Sequence, residues 1–192
     1  MKVDTTTPFA LLASLDRESQ RINREYRRDT TEGWRGVLLA VGQFRCLVDM
    51  EAISEVTDPM SLTRVPLADP MVLGVGNLRG LVLPVFDLGR LLLGESLTGD
   101  SSRQRIVVAP QGQGMAGLLV SRVEGMRNCA PHQRRLEVDV PEAARPYVTG
   151  GFDLGHRIHP VLDLDRLLND TGRFSGSEAA EPTEGQQQAV AS

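Results

Sequence analysis

The spacing of hydrophobic residues changes along this chain, and each change marks an element. Leu12, Leu15, Ser19, Ile22 and Tyr26 recur at intervals of three and four, which places them on one helical stripe. Thr7 and Pro8 precede the stripe as an N-cap and a proline at the first helical position, where its missing N–H costs nothing. The pattern predicts an amphipathic helix over residues 8 to 28. With only four large apolar members, that helix needs a surface to dock on.

From Trp34 the period becomes two. V-L-L-A-V (37 to 41), Gly42-Gln43 and F-R-C-L-V-D (44 to 49) read as a hairpin with Phe44, Cys46 and Val48 on one face. Ile53, Val56, Leu62 and Val65 continue in short extended pieces broken by Pro59, Pro66 and Pro70. L-V-L-P-V-F (81 to 86) is a further strand, whose proline suits an edge or a bulge. A two-turn helix follows, with Asp87 as N-cap, Leu88, Leu91 and Leu92 packing, and Gly94 as the stop. Residues 95 to 104 form a loop. Strands are then expected at 106 to 109, 118 to 123, 136 to 140, 147 to 152 and 157 to 162, and Asp163 caps a second short helix through Leu168.

Two of these stretches are copies of each other. Residues 70 to 92 and 146 to 168 agree at eleven of twenty-three positions, including Gly74/Gly150, Pro84/Pro160 and Asp87/Asp163. A repeat present twice at this distance is a duplicated half-domain, not a solenoid. Many short strands with glycine and proline punctuation predict an all-β fold with short helices, and the duplication favours two similar small barrels.

The chain has 192 residues, 41% apolar and 24% charged, enough for one domain of roughly 140 residues plus peripheral segments. The division expected is a helical extension over 1–32, a two-barrel domain over 33–170 and a disordered tail over 171–192, where the composition is too polar to offset ordering entropy. No run approaches the roughly 18 apolar residues needed to cross a bilayer, and the N-terminus lacks a secretory apolar core. The expectation is a cytoplasmic protein without direct membrane insertion. Cys46 and Cys129 then read as two packed free thiols. A net charge of −4 argues against a nucleic-acid partner, which needs a basic face.

Candidate chemistry is thin. G-Q-G-M-A-G (112 to 117) fits a dinucleotide fingerprint, with Glu137 at ribose distance. Its continuation L-L-V-S-R-V is strand-like, however, so a hairpin turn is the better reading than a nucleotide-dependent enzyme. His156 and His159, three apart on a strand, point to opposite faces and do not converge on a metal. Asp87 and Asp163 form a carboxylate pair only on paper, since each caps its own helix. No nucleophile arrangement is recognisable. The expectation is a protein without catalytic residues, metal or cofactor.

The copies differ where the first has G-V-G-N-L-R-G and the second G-G-F-D-L-G-H. Asn77 becomes Asp153 and Arg79 becomes Gly155, so the arginine is not needed to build the repeat. Glu51 or Glu55 upstream could hold its guanidinium. A structural ion pair and direct partner contact both remain open readings of Arg79.

The stretch V-P-L-A-D-P-M-V-L-G-V-G-N-L-R-G-L-V-L-P-V-F-D-L-G-R-L-L-L-G resembles the signature of the CheW family, the coupling proteins of bacterial chemosensory arrays, and the resemblance covers residues 34 to 169. It implies two five-stranded SH3-like barrels around a shared core. It also implies a non-catalytic scaffold bridging the cytoplasmic tips of methyl-accepting chemoreceptors to the regulatory domain of a chemotaxis-type histidine kinase, itself a relative of the fold. By the same resemblance Arg79 supports the receptor-binding face together with Glu55, and Ile53, Val56, Asn77 and Gly80 adjoin them. The helix start T-P-F-A-L-L is similar to PilI-type adaptors of the system controlling type IV pili and twitching; a flagellar chemotaxis coupling protein and a generic SH3-like binding module remain the alternatives.

Overall fold

The computed structural model describes residues 33–155 and 157–174. The helix expected over residues 8 to 28 lies outside the described residues. Eleven strands form two sheets: β1 (Trp34–Val41), β2 (Phe44–Asp49), β3 (Glu55–Thr57), β4 (Val72–Leu78), β5 (Leu81–Asp87), β6 (Arg105–Gln111), β7 (Gly114–Val120), β8 (Arg122–Cys129), β9 (Arg134–Arg135), β10 (Val148–Asp153) and β11 (Ile158–Leu162). Helix α1 spans Leu88–Leu93 and α2 spans Leu164–Phe174. One sheet runs β8-β1-β2-β11-β10-β9 and the other β3-β6-β7-β5-β4. Neighbours are antiparallel except β5 with β7 and β11 with β2.

The two copies do not each fold into one sheet. The five-stranded sheet is the continuous stretch from β3 to β7, and its centre lies across the join between the copies. The six-stranded sheet takes β1 and β2 from the first copy and β8 to β11 from the second. Matching the strands copy to copy, β8-β1-β2-β11-β10 reproduces β3-β6-β7-β5-β4, so the duplication is visible in the topology even though each hairpin sits among the other copy's strands. The two-residue β9 makes one sheet six-stranded instead of five.

Strand exchange explains the runs of hydrophobic residues. Val37, Leu39 and Val41 of β1, Cys46 and Val48 of β2, Val107 and Ala109 of β6, and Ala116, Leu118 and Val120 of β7 meet in one core between the sheets. The alternate residues Leu38 and Leu47 pack with Phe152 and Val161 inside the six-stranded sheet, and Ile106 and Val108 with Leu83 and Val85 inside the other. Strands covered on both faces need no polar positions, so V-L-L-A-V and I-V-V-A read as continuous apolar segments. Leu88 and Leu92 of α1 and Leu164, Leu167 and Leu168 of α2 complete the shared core. Cys46 and Cys129 are free and buried, and burial pushes the Cys46 thiol up to about 12, which keeps it protonated and unreactive.

One edge of each sheet is covered by a short crossing segment. Thr63 exchanges two backbone hydrogen bonds with Val75, on the outer edge of β4, and β9 does the same work against β10 at Gly151 and Phe152. The closing segment crosses so near that a β-carbon on Gly74 would lie 2.5 Å from the Thr63 carbonyl oxygen, and one on Gly150 2.7 Å from that of Arg135. Both glycines sit at positive φ beside a register shift in their strands, as a bulge requires. Their recurrence in the two copies is thereby explained.

Several expectations are corrected. Residues 118 to 123 are not one strand: Ser121 separates β7 from β8, its N–H bonding to Ala40 and its hydroxyl accepting from the Gly42 N–H. Residues 136 to 140 form no strand, because only Arg134–Arg135 reach β10 and Leu136 points into solvent. Helix α2 continues to Phe174, not Leu168, so the helix enters the segment expected to be a disordered tail; Thr171 and Gln111 tie its Leu168 carbonyl. Pro84 is in an interior strand, yet β5 pairs with β7 only from Val85 onward. The missing N–H therefore falls where the strand still has one neighbour, and Pro160 is placed equivalently in β11.

Asp87 accepts hydrogen bonds from the backbone N–H groups of Gly89 (2.9 Å) and Arg90 (3.3 Å), and from that of Leu97 (3.2 Å). Asp163 accepts from Arg166 at 3.1 Å. Each aspartate is the cap of its own helix, and Gly94 ends α1 at φ 74.

Candidate functional site

The site grows from the two-residue turn between β4 and β5. Leu78 pairs with Leu81, leaving Arg79 and Gly80 as the turn, with φ of 54 and 88. Positive φ at both positions defines a type I′ turn, which matches the twist of the flanking strands but favours asparagine or glycine at the first position. Asn77 holds the loop by accepting from the Gly80 N–H at 2.8 Å. In the second copy Asp153 plays this part, accepting from the Gly155 N–H at 3.2 Å. Asn77 is thus a turn residue with a counterpart in both copies. Arg79 has none: glycine relieves the same strain at position 155.

The Arg79 guanidinium reaches the carboxylate of Glu55 on β3, Nη2 to Oε2, at 2.7 Å. β3 and β4 are the opposite edges of the five-stranded sheet, so this contact spans the seam where the sheet closes. The Arg79 side chain is 79% exposed and that of Glu55 27%. An ion pair this open contributes at most about 1 kcal/mol. It orients a solvent-facing guanidinium more than it fastens the sheet.

The structure brings Glu55, Asn77, Arg79 and Gly80 together. Val56 neighbours Glu55 and is 42% exposed, but alternation along the strand turns it to the other face. Ile53 leans on the shared core as a partly buried packing residue. Glu51 lies in a single 3-10 turn after β2, its N–H bonded to the Asp49 carboxylate; the acidic partner of Arg79 is Glu55.

Two surface residues escaped the sequence reading. Leu81 and Val82, read only as the start of a strand, are 60% and 76% exposed beside the Arg79 turn. A signal existed: the second copy has Arg157 and Ile158 at these positions, and an arginine there marks a surface place. The site is therefore an oriented cation with an aliphatic border on a closed sheet.

Other constellations resolve as structure. Gly112, at φ 59, and Gln113 turn β6 into β7, so the 112 to 117 glycines open no helix and the dinucleotide reading fails on geometry. A cleft of about 200 Å³ between the 98 to 104 loop and the β1–β2 hairpin is lined by Arg45, Arg103 and Arg122. Its cations are matched by carboxylates: Arg45 to Glu124 at 2.8 Å, Arg103 to Asp100 at 3.4 Å, and Arg122 also to Glu124. Among the described residues no group of three or more histidine, cysteine or acidic side chains could hold a metal; His156 lies outside them.

His159 on β11 carries a buried Nδ1 with no hydrogen-bond partner among the described residues. Burial, reinforced by Arg157, Arg127 and Arg45 against the opposing Glu124, holds its pKa below the usual imidazole value. The unfolded chain, titrating near 6.5, then takes up a proton that the folded chain resists. Stability is expected to be full above about pH 6.5 and to fall as the pH drops toward the depressed folded value. Replacing His159 with leucine should flatten the change in urea midpoint between pH 7 and 5; an unchanged slope would remove His159 as its source.

Two small packed sheets with an exposed, oriented arginine at a turn, and no catalytic constellation among the described residues, are compatible with a protein-binding adaptor. Residues 35–172 match the CheW-like domain, and the chain belongs to the CheW family, the chemosensory coupling adaptors. It is 30% identical to the protein PilI of Pseudomonas aeruginosa over 83% of this chain and 89% of that protein. It is 26% identical to the chemotaxis protein CheW of Klebsiella aerogenes over 72% and 84% respectively. The scaffolding protein CheW of Thermoanaerobacter tengcongensis has the same fold, with a TM-score of 0.63 at 22% identity over 72% of this chain and 90% of that one. Among the described residues no helix is long and apolar enough to cross a membrane.

Proposed function

We propose that this protein is a non-catalytic adaptor joining the cytoplasmic tip of a methyl-accepting chemoreceptor to the regulatory domain of a chemotaxis-type histidine kinase, at a membrane-anchored receptor array in the cytoplasm. The observation that carries the reading is Arg79. It occupies a left-handed turn position at a conformational cost, is exposed, and is aimed by Glu55, whereas the duplicate of the same turn uses glycine. A residue that the architecture does not require, kept in a strained place, points to recognition. Arg79 and Glu55 would meet the receptor's helical hairpin, with Asn77 and Gly80 shaping the turn and Ile53 backing the strand, while Val56 would extend the partner surface on the other face of β3. The 30% identity to PilI over most of both chains favours type IV pili and twitching motility as the output over flagellar chemotaxis.

Arg79→Gly separates recognition from folding, because glycine suits both turn positions. The thermal midpoint should stay within a few degrees of wild type, and affinity for a purified receptor tip fragment should fall by roughly tenfold or more, the scale of an interfacial arginine hot spot. Unchanged affinity would return Arg79 to a purely structural role. Association of the wild-type chain with neither receptor tip nor kinase regulatory domain would remove the adaptor reading itself.

A further inference from the structure

The six-stranded sheet is charged at a place where its counterpart is apolar. Counting from the matched turns Gly42-Gln43 and Gly112-Gln113, Arg45 of β2 corresponds to Met115 of β7, and in the repeat His159 of β11 corresponds to Leu83 of β5. Leu83 is buried, and Met115 packs against its cluster. Two apolar side chains therefore satisfy the architecture there. In the other sheet the Arg45 Nε holds Glu124 at 2.8 Å, and Arg122 holds the same carboxylate. Exchanging a buried ion pair for packed hydrocarbon is often neutral or stabilising, so stability alone does not select the charged version.

These charges do not cancel. Arg45 and Arg122 share the one carboxylate of Glu124, and Arg103 has the exposed Asp100 at 3.4 Å. All three arginines line the cleft of about 200 Å³ between the 98 to 104 loop and the β1–β2 hairpin, so they outnumber their carboxylates. Arg127 and Arg157 add positive potential beside it, since both act with Arg45 on His159. The chain as a whole has a net charge of −4, which makes this excess a local feature. Donors are left over as well. Of the five N–H groups of a guanidinium, Arg45 gives Nε to Glu124 and one Nη1 hydrogen to the Gly42 carbonyl oxygen. Ser121, in the same lining, accepts the Gly42 N–H at 2.9 Å, which leaves its hydroxyl proton to donate. The Arg45 and Arg122 side chains are only 22% and 41% exposed, so salt screens them less than it would free surface charges.

We propose that this cleft binds a phosphate-type oxyanion between Arg45, Arg122 and Arg103, with Ser121 as a further donor. Its volume is below the roughly 300 to 1,000 Å³ of sites that bury a whole organic ligand, and guanidinium forks match phosphate oxygens in geometry as well as charge. The same chemistry serves free phosphate and a phosphoryl group carried on a larger molecule. The cleft is separate from the Arg79 turn, and its test does not depend on the adaptor reading.

Calorimetric titration of the full chain with inorganic phosphate at constant ionic strength should give saturable heat, with a dissociation constant of about 1 mM or tighter; sodium chloride in its place should give none. Arg45→Met installs the residue of the other copy. The thermal midpoint without phosphate should then stay within a few degrees of wild type, while affinity falls roughly tenfold or more, the scale of a lost hydrogen bond to a charged group. Arg122→Gln should weaken binding similarly, and Glu124→Gln, which removes the competing carboxylate, should tighten it. O-phosphoserine, titrated separately, distinguishes the two sources: binding as tight as that of phosphate assigns the cleft to a carried phosphoryl group, and binding of phosphate alone assigns it to the free ion. No saturable heat with either probe, or affinity unchanged in both arginine variants, overturns the inference and returns the arginines to a structural network.

Discussion

Gly74→Ala is expected to lower the stability of the fold by about 3 kcal/mol, a large loss for one added methyl group. The β-carbon would meet the Thr63 carbonyl oxygen at 2.5 Å. That oxygen cannot move aside, because it accepts the Val75 N–H in the bridge that closes the sheet. The backbone at φ 146 adds strain of its own. Gly80→Ala is the control: its φ of 88 is also positive, but nothing lies within 4 Å of the new carbon, so only the conformational cost of about 1 kcal/mol is due. Urea midpoints of the two variants measure the difference. Equal losses would mean that the approach of the Thr63 segment contributes nothing and that φ alone selects glycine.

Phe86→Ala should cost about 3 to 5 kcal/mol, and the loss should be seen in both sheets at once. Phe86 is a fully buried side chain of β5, in the five-stranded sheet, and it reaches the core that the two sheets share. The chain's one tryptophan, Trp34, is in the other sheet. It stacks on Phe152 with ring centroids 4.9 Å apart and donates to the Asp49 carboxylate at 3.2 Å. Trp34 fluorescence should therefore report a lowered urea midpoint coinciding with that from far-ultraviolet circular dichroism. A fluorescence midpoint that stays at the wild-type value while the dichroism shifts would show that the sheets unfold independently.

The elements legible in the sequence were those with local signatures. Asp87 and Gly94 bracket α1 as cap and stop, and Gly42-Gln43 and Gly112-Gln113 turn their hairpins, because capping and turn chemistry act over four residues. The exchange of hairpins between the copies was not legible. It depends on which β-strand accepts a parallel neighbour, and the apolar runs at 37 to 41 and 106 to 109 say only that both faces are covered. The strand expected at 136 to 140 had the right alternation, but β10 has a partner for only two residues there. At the site, comparing the copies singled out Arg79 and left Glu51 and Glu55 as its candidate partners; the family resemblance named Glu55, and the structure pairs the two. The comparison could not reveal that Asn77 and Asp153 both brace their turns, since an amide and a carboxylate look different as letters, and each accepts from a backbone N–H of its own turn, Gly80 in one copy and Gly155 in the other.

The reciprocal placement of the two hairpins is the geometry that a domain-swapped dimer would have if its protomers were joined end to end by the 95 to 104 segment. Joining replaces an association that depends on concentration with one that does not. It also lifts a restriction that symmetry imposes. In a homodimer every substitution appears twice, so an arginine at the β4–β5 turn would appear at the β10–β11 turn as well, with its strain. Once the copies share a chain each can drift alone, and a strained arginine can be kept at position 79 while position 155 has glycine.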